Sequence, residues 1–65
     1  MPSTVIRSYG YEAERRRLVV TFVSGRRYAY RDVPAEVADE LGIAPSKGEY
    51  FNACIRDRFP FERLR

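Results

Sequence analysis

The chain contains no histidine and a single cysteine, Cys54. Without histidine there is no imidazole to serve as a general base, a nucleophile's partner or a metal ligand. One cysteine cannot form an intramolecular disulfide, and a Cys/His zinc site is equally out of reach. Long apolar runs are missing too: nothing approaches the roughly 18 residues that a bilayer span requires, and 32% of the chain is charged. No membrane segment is expected. The opening Met1-Pro2-Ser3-Thr4-Val5-Ile6-Arg7 lacks the apolar stretch of an export signal, so the expected location is the cytoplasm, where a lone thiol stays reduced. These absences argue against an enzyme, and no cofactor or metal is expected.

What is present suffices for one core. Of the 65 residues 45% are hydrophobic, including five Tyr and four Phe, so residues 1–65 read as one domain without linker or repeat. A chain this short buries only about 60% of the surface its unfolded form exposes. Stability is therefore marginal, and little volume is left for a small-molecule pocket.

Eleven of the twelve basic residues are arginine, the side chain that pairs bidentately with phosphate and carboxylate. They are unevenly placed. Residues 1–32 carry seven arginines against Glu12, Glu14 and Asp32, a net of +4. Residues 33–46 carry only Glu36, Asp39 and Glu40, a net of −3, and residues 47–65 return to +2. Such a domain suits a polyanionic or acidic partner. A solvated surface is the other reading.

The apolar pattern divides the chain. Thr4 to Tyr11 is rich in β-branched and aromatic residues and predicts a first strand, with Glu12 to Arg16 as the turn. Leu18, Val20 and Phe22 alternate with Arg17, Val19 and Thr21, a period of two that predicts a second strand. Arg26 to Asp32, with Tyr28-Ala29-Tyr30, predicts a third. A two-residue Ser24-Gly25 loop would set Phe22 opposite Arg27 and Leu18 opposite Arg31, burying two arginines. A three-residue loop of Val23-Ser24-Gly25 puts glycine in the left-handed position of a bulged turn. It also sets Val20 opposite Tyr28 and Leu18 opposite Tyr30, giving one apolar face. The second register is the expected one.

From Val33 the period becomes helical. Val33, Val37 and Leu41 recur every four residues, with Asp32 or Val33 as cap, Pro34 in the first turn and Gly42 as a left-handed C-terminal cap. Ile43 should then fold back on Ala38. Ser46-Lys47-Gly48-Glu49 has the spacing of a capping box, and Tyr50, Phe51, Cys54 and Ile55 form the stripe of a second helix. Pro60 stops it, leaving Phe61 and Leu64 on an extended tail. The expected class is α+β: a three-stranded antiparallel meander followed by two helices packed on one sheet face.

With these elements placed, the chain resembles the KTSC domain family. The resemblance rests on Tyr11-Glu12, Leu18-Val19-Val20-Thr21-Phe22, Gly25, Tyr28 to Tyr30, Val33-Pro34 and Ser46 to Asn52. It departs from the family pattern in Glu12, where Asp is commoner, and in Pro45, which falls between the small residue and the serine. The family takes its name from a module at the C-terminus of some lysyl-tRNA synthetases and also occurs as single-domain bacterial proteins. The resemblance implies RNA binding, and nothing more specific.

Two anion sites can be drawn from the residues. In the expected register the sheet face away from the helices carries Arg17 opposite Arg31 and Thr21 opposite Arg27, with Arg15, Arg16 and Arg26 near the strand ends. Those six arginines could neutralise a nucleic-acid backbone, or dock on an acidic protein surface. Ser46, Lys47 and Gly48 offer free amides and a cation at a helix N-terminus. There, however, capping by Ser46 and Glu49 uses two amides, and Glu49 repels an anion. Tyr28 and Tyr30 could stack on bases, but the register assigns them to the core. Cys54 lies on the apolar stripe and is expected to be an inert core residue. The leading function is a non-catalytic module that binds RNA or another polyanion, and the alternative is a regulatory module that docks on protein.

Overall fold

A computed structural model describes residues 6–64 of the chain. Its elements, in order, are β1 (Ile6–Glu12), β2 (Arg17–Phe22), β3 (Arg27–Tyr30), α1 (Ala35–Ile43), α2 (Lys47–Cys54) and β4 (Phe61–Leu64). The strands form one antiparallel sheet in the order β1-β2-β3-β4. The expected start of the first strand at Thr4 lies outside the described residues. Among those residues no helix is long and apolar enough to cross a membrane.

The β2–β3 hairpin has the expected register. Leu18 faces Tyr30, Val20 faces Tyr28 and Thr21 faces Arg27. Phe22 N–H donates to Arg26 O at 2.9 Å, so the loop is Val23-Ser24-Gly25, and Gly25 sits at φ 95°. Only a residue without Cβ takes that conformation without strain.

β1 continues the apolar face by setting Tyr11 beside Leu18 and Tyr9 beside Val20, with a bulge between Ile6 and Ser8. The β1–β2 turn ends on Arg16 at φ 52°. Arg16 O accepts from Val33 N–H at 2.9 Å, and the Tyr11 phenol donates to Val33 O at 2.6 Å. Both backbone groups of Val33 are thus held by the first hairpin, and its side chain is fully buried.

The helices cover the apolar face of the sheet. Leu18, Val20 and Tyr30 from the strands pack with Val33, Leu41, Phe51 and Ile55. Five rings close a circuit around this core. Phe22 meets Tyr28, Tyr28 meets Phe61, Phe61 meets Tyr30, Tyr30 meets Phe51 and Phe51 meets Phe22, at centroid distances of 5.3 to 5.7 Å. Such tilted and edge-on pairs each contribute about 0.5–1.5 kcal/mol beyond their burial. Ser46 caps α2 by accepting from Glu49 N–H at 3.3 Å. The Tyr50 phenol donates to Glu40 Oε1 at 2.7 Å and ties α2 to α1.

Four expectations are corrected. The tail is a fourth strand: Phe61 pairs with Tyr30 and Arg63 with Tyr28, while Arg31 N–H donates to Pro60 O at 2.8 Å. The reason is that β3 would otherwise expose a row of unpaired backbone groups; four residues are too few to show a period. Asp32 does not cap α1. It takes φ 62°, and Pro34 stands at the N-cap with no side-chain hydrogen bond. Gly42 lies within α1 rather than in a left-handed cap; a Cβ there would come within 2.8 Å of the Tyr9 hydroxyl. Close approach, not a turn, accounts for this glycine. Ile43 does not fold back on Ala38, because the helix runs on through it and leaves it 82% exposed.

Two outcomes check this packing. Tyr30 is 4% exposed and touches both Phe51 and Phe61, so Tyr30→Ala should cost about 3–5 kcal/mol. Against the 5–15 kcal/mol typical of a domain, a thermal melt should show large destabilisation or loss of the transition. An unchanged melting temperature would overturn the placement. The second outcome concerns Tyr50. Burial, and then the hydrogen bond to Glu40, push its phenol up from 10 to about 12. The folded value lies above the unfolded one, so the stabilisation is full below pH 10 and is lost as pH rises through about 12. Urea titrations of Tyr50→Phe should show a loss of roughly 0.5–1 kcal/mol at neutral pH, discounted for exposure of the pair. That difference from wild type should shrink between pH 10 and 12.

Candidate nucleic-acid interface

The sheet face opposite the helices is set by the register. Across it run Glu12 beside Arg17, then Gly10, Val19, Ala29 and Glu62 in one row, then Ser8, Thr21, Arg27 and Leu64 in another. Ala29 is only 1% exposed there. The face carries two arginines and two glutamates, so it is balanced rather than basic.

Arg17 is neutralised locally. Its Nε lies 3.0 Å from Glu12 Oε1. The contact is ionic and not an aligned hydrogen bond, although that nitrogen is out of solvent. A partly exposed pair of this kind contributes at most about 1 kcal/mol, but it occupies the guanidinium. The expected Arg17–Arg31 opposition does not occur: the β2–β3 ladder ends at Leu18 and Tyr30, and Arg31 lies beyond it.

The six arginines expected to act together are therefore divided. Arg15 and Arg16 stand in the β1–β2 turn and Arg31 follows β3, all at one end of the sheet. Arg26 and Arg27 stand at the other, at the β2–β3 hairpin. The four residues of β3 carry the chain from Arg27 at one end to Arg31 at the other, about 13 Å at strand rise. All five are exposed. Among the described residues Arg17 makes the one ion pair, so these five guanidiniums have no carboxylate partner there.

The start of α2 is occupied by its own structure. Ser46 Oγ accepts the Glu49 amide, Lys47 Nζ donates to Gly42 O at 3.3 Å, and Gly48 is buried. Lys47 thereby supplies positive charge to the carbonyl end of α1, where the macrodipole favours a cation.

A feature the sequence reading missed lies between the hairpin and α2. A cleft of about 280 Å³ opens there, walled by Phe22, Tyr28, Tyr30 and Phe51 and rimmed by Ser24, Arg26, Asn52 and Arg56. Tyr28, unlike Tyr30, is only half-buried, and so it is a wall of this cleft and not wholly core. Burial, then the neighbouring Tyr28 phenol, raise the Tyr30 phenol above its ordinary value; the Arg56 cation opposes the shift and the Asp57 carboxylate adds to it. The cleft's sequence signal was faint, because Arg26 and Arg56 come from distant loops. Cys54 is half-buried and unpaired. No group of three metal-ligating side chains occurs among the described residues.

Comparison with known proteins places this architecture. The KTSC domain matches residues 2–59. A lysine–tRNA ligase of Nostoc punctiforme is 43% identical over 94% of this chain, which covers 11% of that protein. The chain thus spans about a tenth of the ligases it matches. Smaller relatives are matched over most of their length: a protein of Stutzerimonas stutzeri is 44% identical, and the chain covers 79% of it. The crystal structure of a KTSC domain protein from Yersinia pestis superposes with a TM-score of 0.91 at 30% identity, covering 100% of this chain and 92% of that one. The four-stranded sheet with its two helices is accordingly a family architecture, and the chain belongs to the KTSC domain family.

Proposed function

We propose that the domain is a non-catalytic RNA-binding module whose arginines contact backbone phosphates. One observation carries this reading. Of the ten arginines among residues 6–64, Arg17 alone is ion-paired to a described residue. A guanidinium without a carboxylate is available to a phosphate, which it binds in fork geometry. The related lysine–tRNA ligases support the choice of RNA, since by name they act on tRNA and carry this same module. With no histidine and one half-buried cysteine, the arginines and tyrosines carry the recognition chemistry, and binding is the activity they serve.

In this reading the arginines act as two separate sets. Arg15, Arg16 and Arg31 form one and Arg26 and Arg27 the other, and a strand crossing the sheet edge touches both. Arg17 contributes little, because Glu12 already holds it.

Counterion release supplies the test. Log affinity for a short labelled single-stranded RNA should fall linearly with log salt, by roughly 0.7 per phosphate contact. Replacing Arg26 and Arg27 with Gln should flatten that slope by about one unit, and Arg15, Arg16 and Arg31 together by about two. Arg17→Gln should leave it nearly unchanged. Fluorescence anisotropy at low ionic strength reads all three. Absence of binding up to about 100 μM protein, the weak end of non-specific affinity, would overturn the reading and favour docking on an acidic protein surface.

A further inference from the structure

The cleft between the β2–β3 hairpin and α2 has the composition of a nucleotide site. Its walls are aromatic: Phe22 and Tyr28 from the hairpin, Phe51 from α2. Phe22 holds Tyr28 and Phe51 edge-on at 5.7 and 5.3 Å, so the walls are set before any ligand arrives. Two cations, Arg26 and Arg56, reach the rim from opposite sides, and no carboxylate lines the cleft. Neither arginine is ion-paired among the described residues. Asn52 completes the rim with an amide that both donates and accepts.

These groups specify a ligand that is planar, has a hydrogen-bonding edge and carries negative charge close to the ring. The volume, about 280 Å³, lies just below the range of sites that enclose drug-sized molecules, which matches one base rather than a whole cofactor. Single-stranded RNA is recognised in this manner, by splayed bases stacked on aromatic rings and bonded along their edges.

We propose that this cleft takes one unstacked nucleobase of a single-stranded RNA, with Asn52 on the base edge and Arg26 and Arg56 on the adjoining phosphates. The proposal rests on the RNA-binding reading and adds a base-dependent contact to it. Phosphate contacts alone position a strand without regard to its bases. A base held against Tyr28 and Phe22, the half-exposed rings of the cleft, would make binding depend on the presence of that base.

The test compares a short labelled single-stranded RNA with an abasic strand of the same backbone length, both by fluorescence anisotropy. Wild type should bind the base-bearing strand about tenfold more tightly, the order of one stacked base. Asn52→Ala, at an exposed position, should bring the base-bearing strand toward the abasic level without altering the salt slope. Tyr28→Leu should do the same, its folding checked by a melt. Arg26→Gln with Arg56→Gln should weaken both strands and flatten the slope. Equal wild-type affinity for the two strands would overturn the cleft proposal while leaving phosphate binding intact. An Asn52→Ala variant that keeps the full tenfold preference, together with an unaffected and folded Tyr28→Leu, would also overturn it. Binding of neither strand would overturn the RNA reading, and the cleft proposal with it.

Discussion

The structure depends on the register of one hairpin. Gly25 at φ 95° closes a three-residue loop, and that loop sets Val20 against Tyr28 and Leu18 against Tyr30. Slipping the pairing by one residue would turn every side chain of a strand to the other face. Arginines would then stand under the helices, where an unpaired charge costs several kcal/mol. β1 and β4 inherit the choice. Tyr11 joins the apolar face because it pairs with Leu18, and Phe61 because it pairs with Tyr30.

The small core is extended by rings rather than by depth. Among the described residues only seven side chains form its buried cluster, too few to give a large margin in a domain of this size. The circuit through Phe22, Tyr28, Phe61, Tyr30 and Phe51 draws the last strand and the second helix onto the hairpin. Val33 does the same work at the other end of the sheet, where both its backbone groups are bonded to the first hairpin. α1 therefore starts from a fixed point although no side chain caps it.

Much of this was legible in the sequence, and the exceptions fall at helix ends and at contacts between distant segments. The alternation in Leu18-Val19-Val20-Thr21-Phe22 and the four-residue spacing of Val33, Val37 and Leu41 are local signals, and both read correctly. Ser46 likewise caps α2, although only its half of the expected capping box forms: its hydroxyl accepts the Glu49 amide. Helix ends were misread locally: Asp32 does not cap α1, and Ile43 stays in the helix and exposed. Two other failures depended on neighbours distant in sequence. β4 is specified by the open edge of β3, not by any period within Phe61–Leu64. Gly42 is explained by the hydroxyl of Tyr9, more than thirty residues earlier. For the site, the sequence identified the abundance of arginine but not its partition. Arg17 pairs with Glu12 across β1 and β2, and this pairing becomes visible only once both strands are in register.

The same hairpin that orders the core also places the groups of the cleft. Phe22 and Arg26 are joined across the turn by a backbone hydrogen bond, so an aromatic wall and a cation are fixed relative to each other by the geometry that demands Gly25. α2 supplies the opposing Phe51 and Asn52, and the turn after it supplies Arg56. Phe51 belongs to the buried core as well as to the cleft. Binding groups supported by packed core residues are pre-organised, and ordering them on association costs little entropy. Tyr28 stays half-buried because it is shared in this way: its inner edge meets Phe22 and Phe61, and the rest of it lines the cleft. Core and cleft thus share aromatics: Tyr30 and Phe51 belong to the buried cluster and also line the cleft.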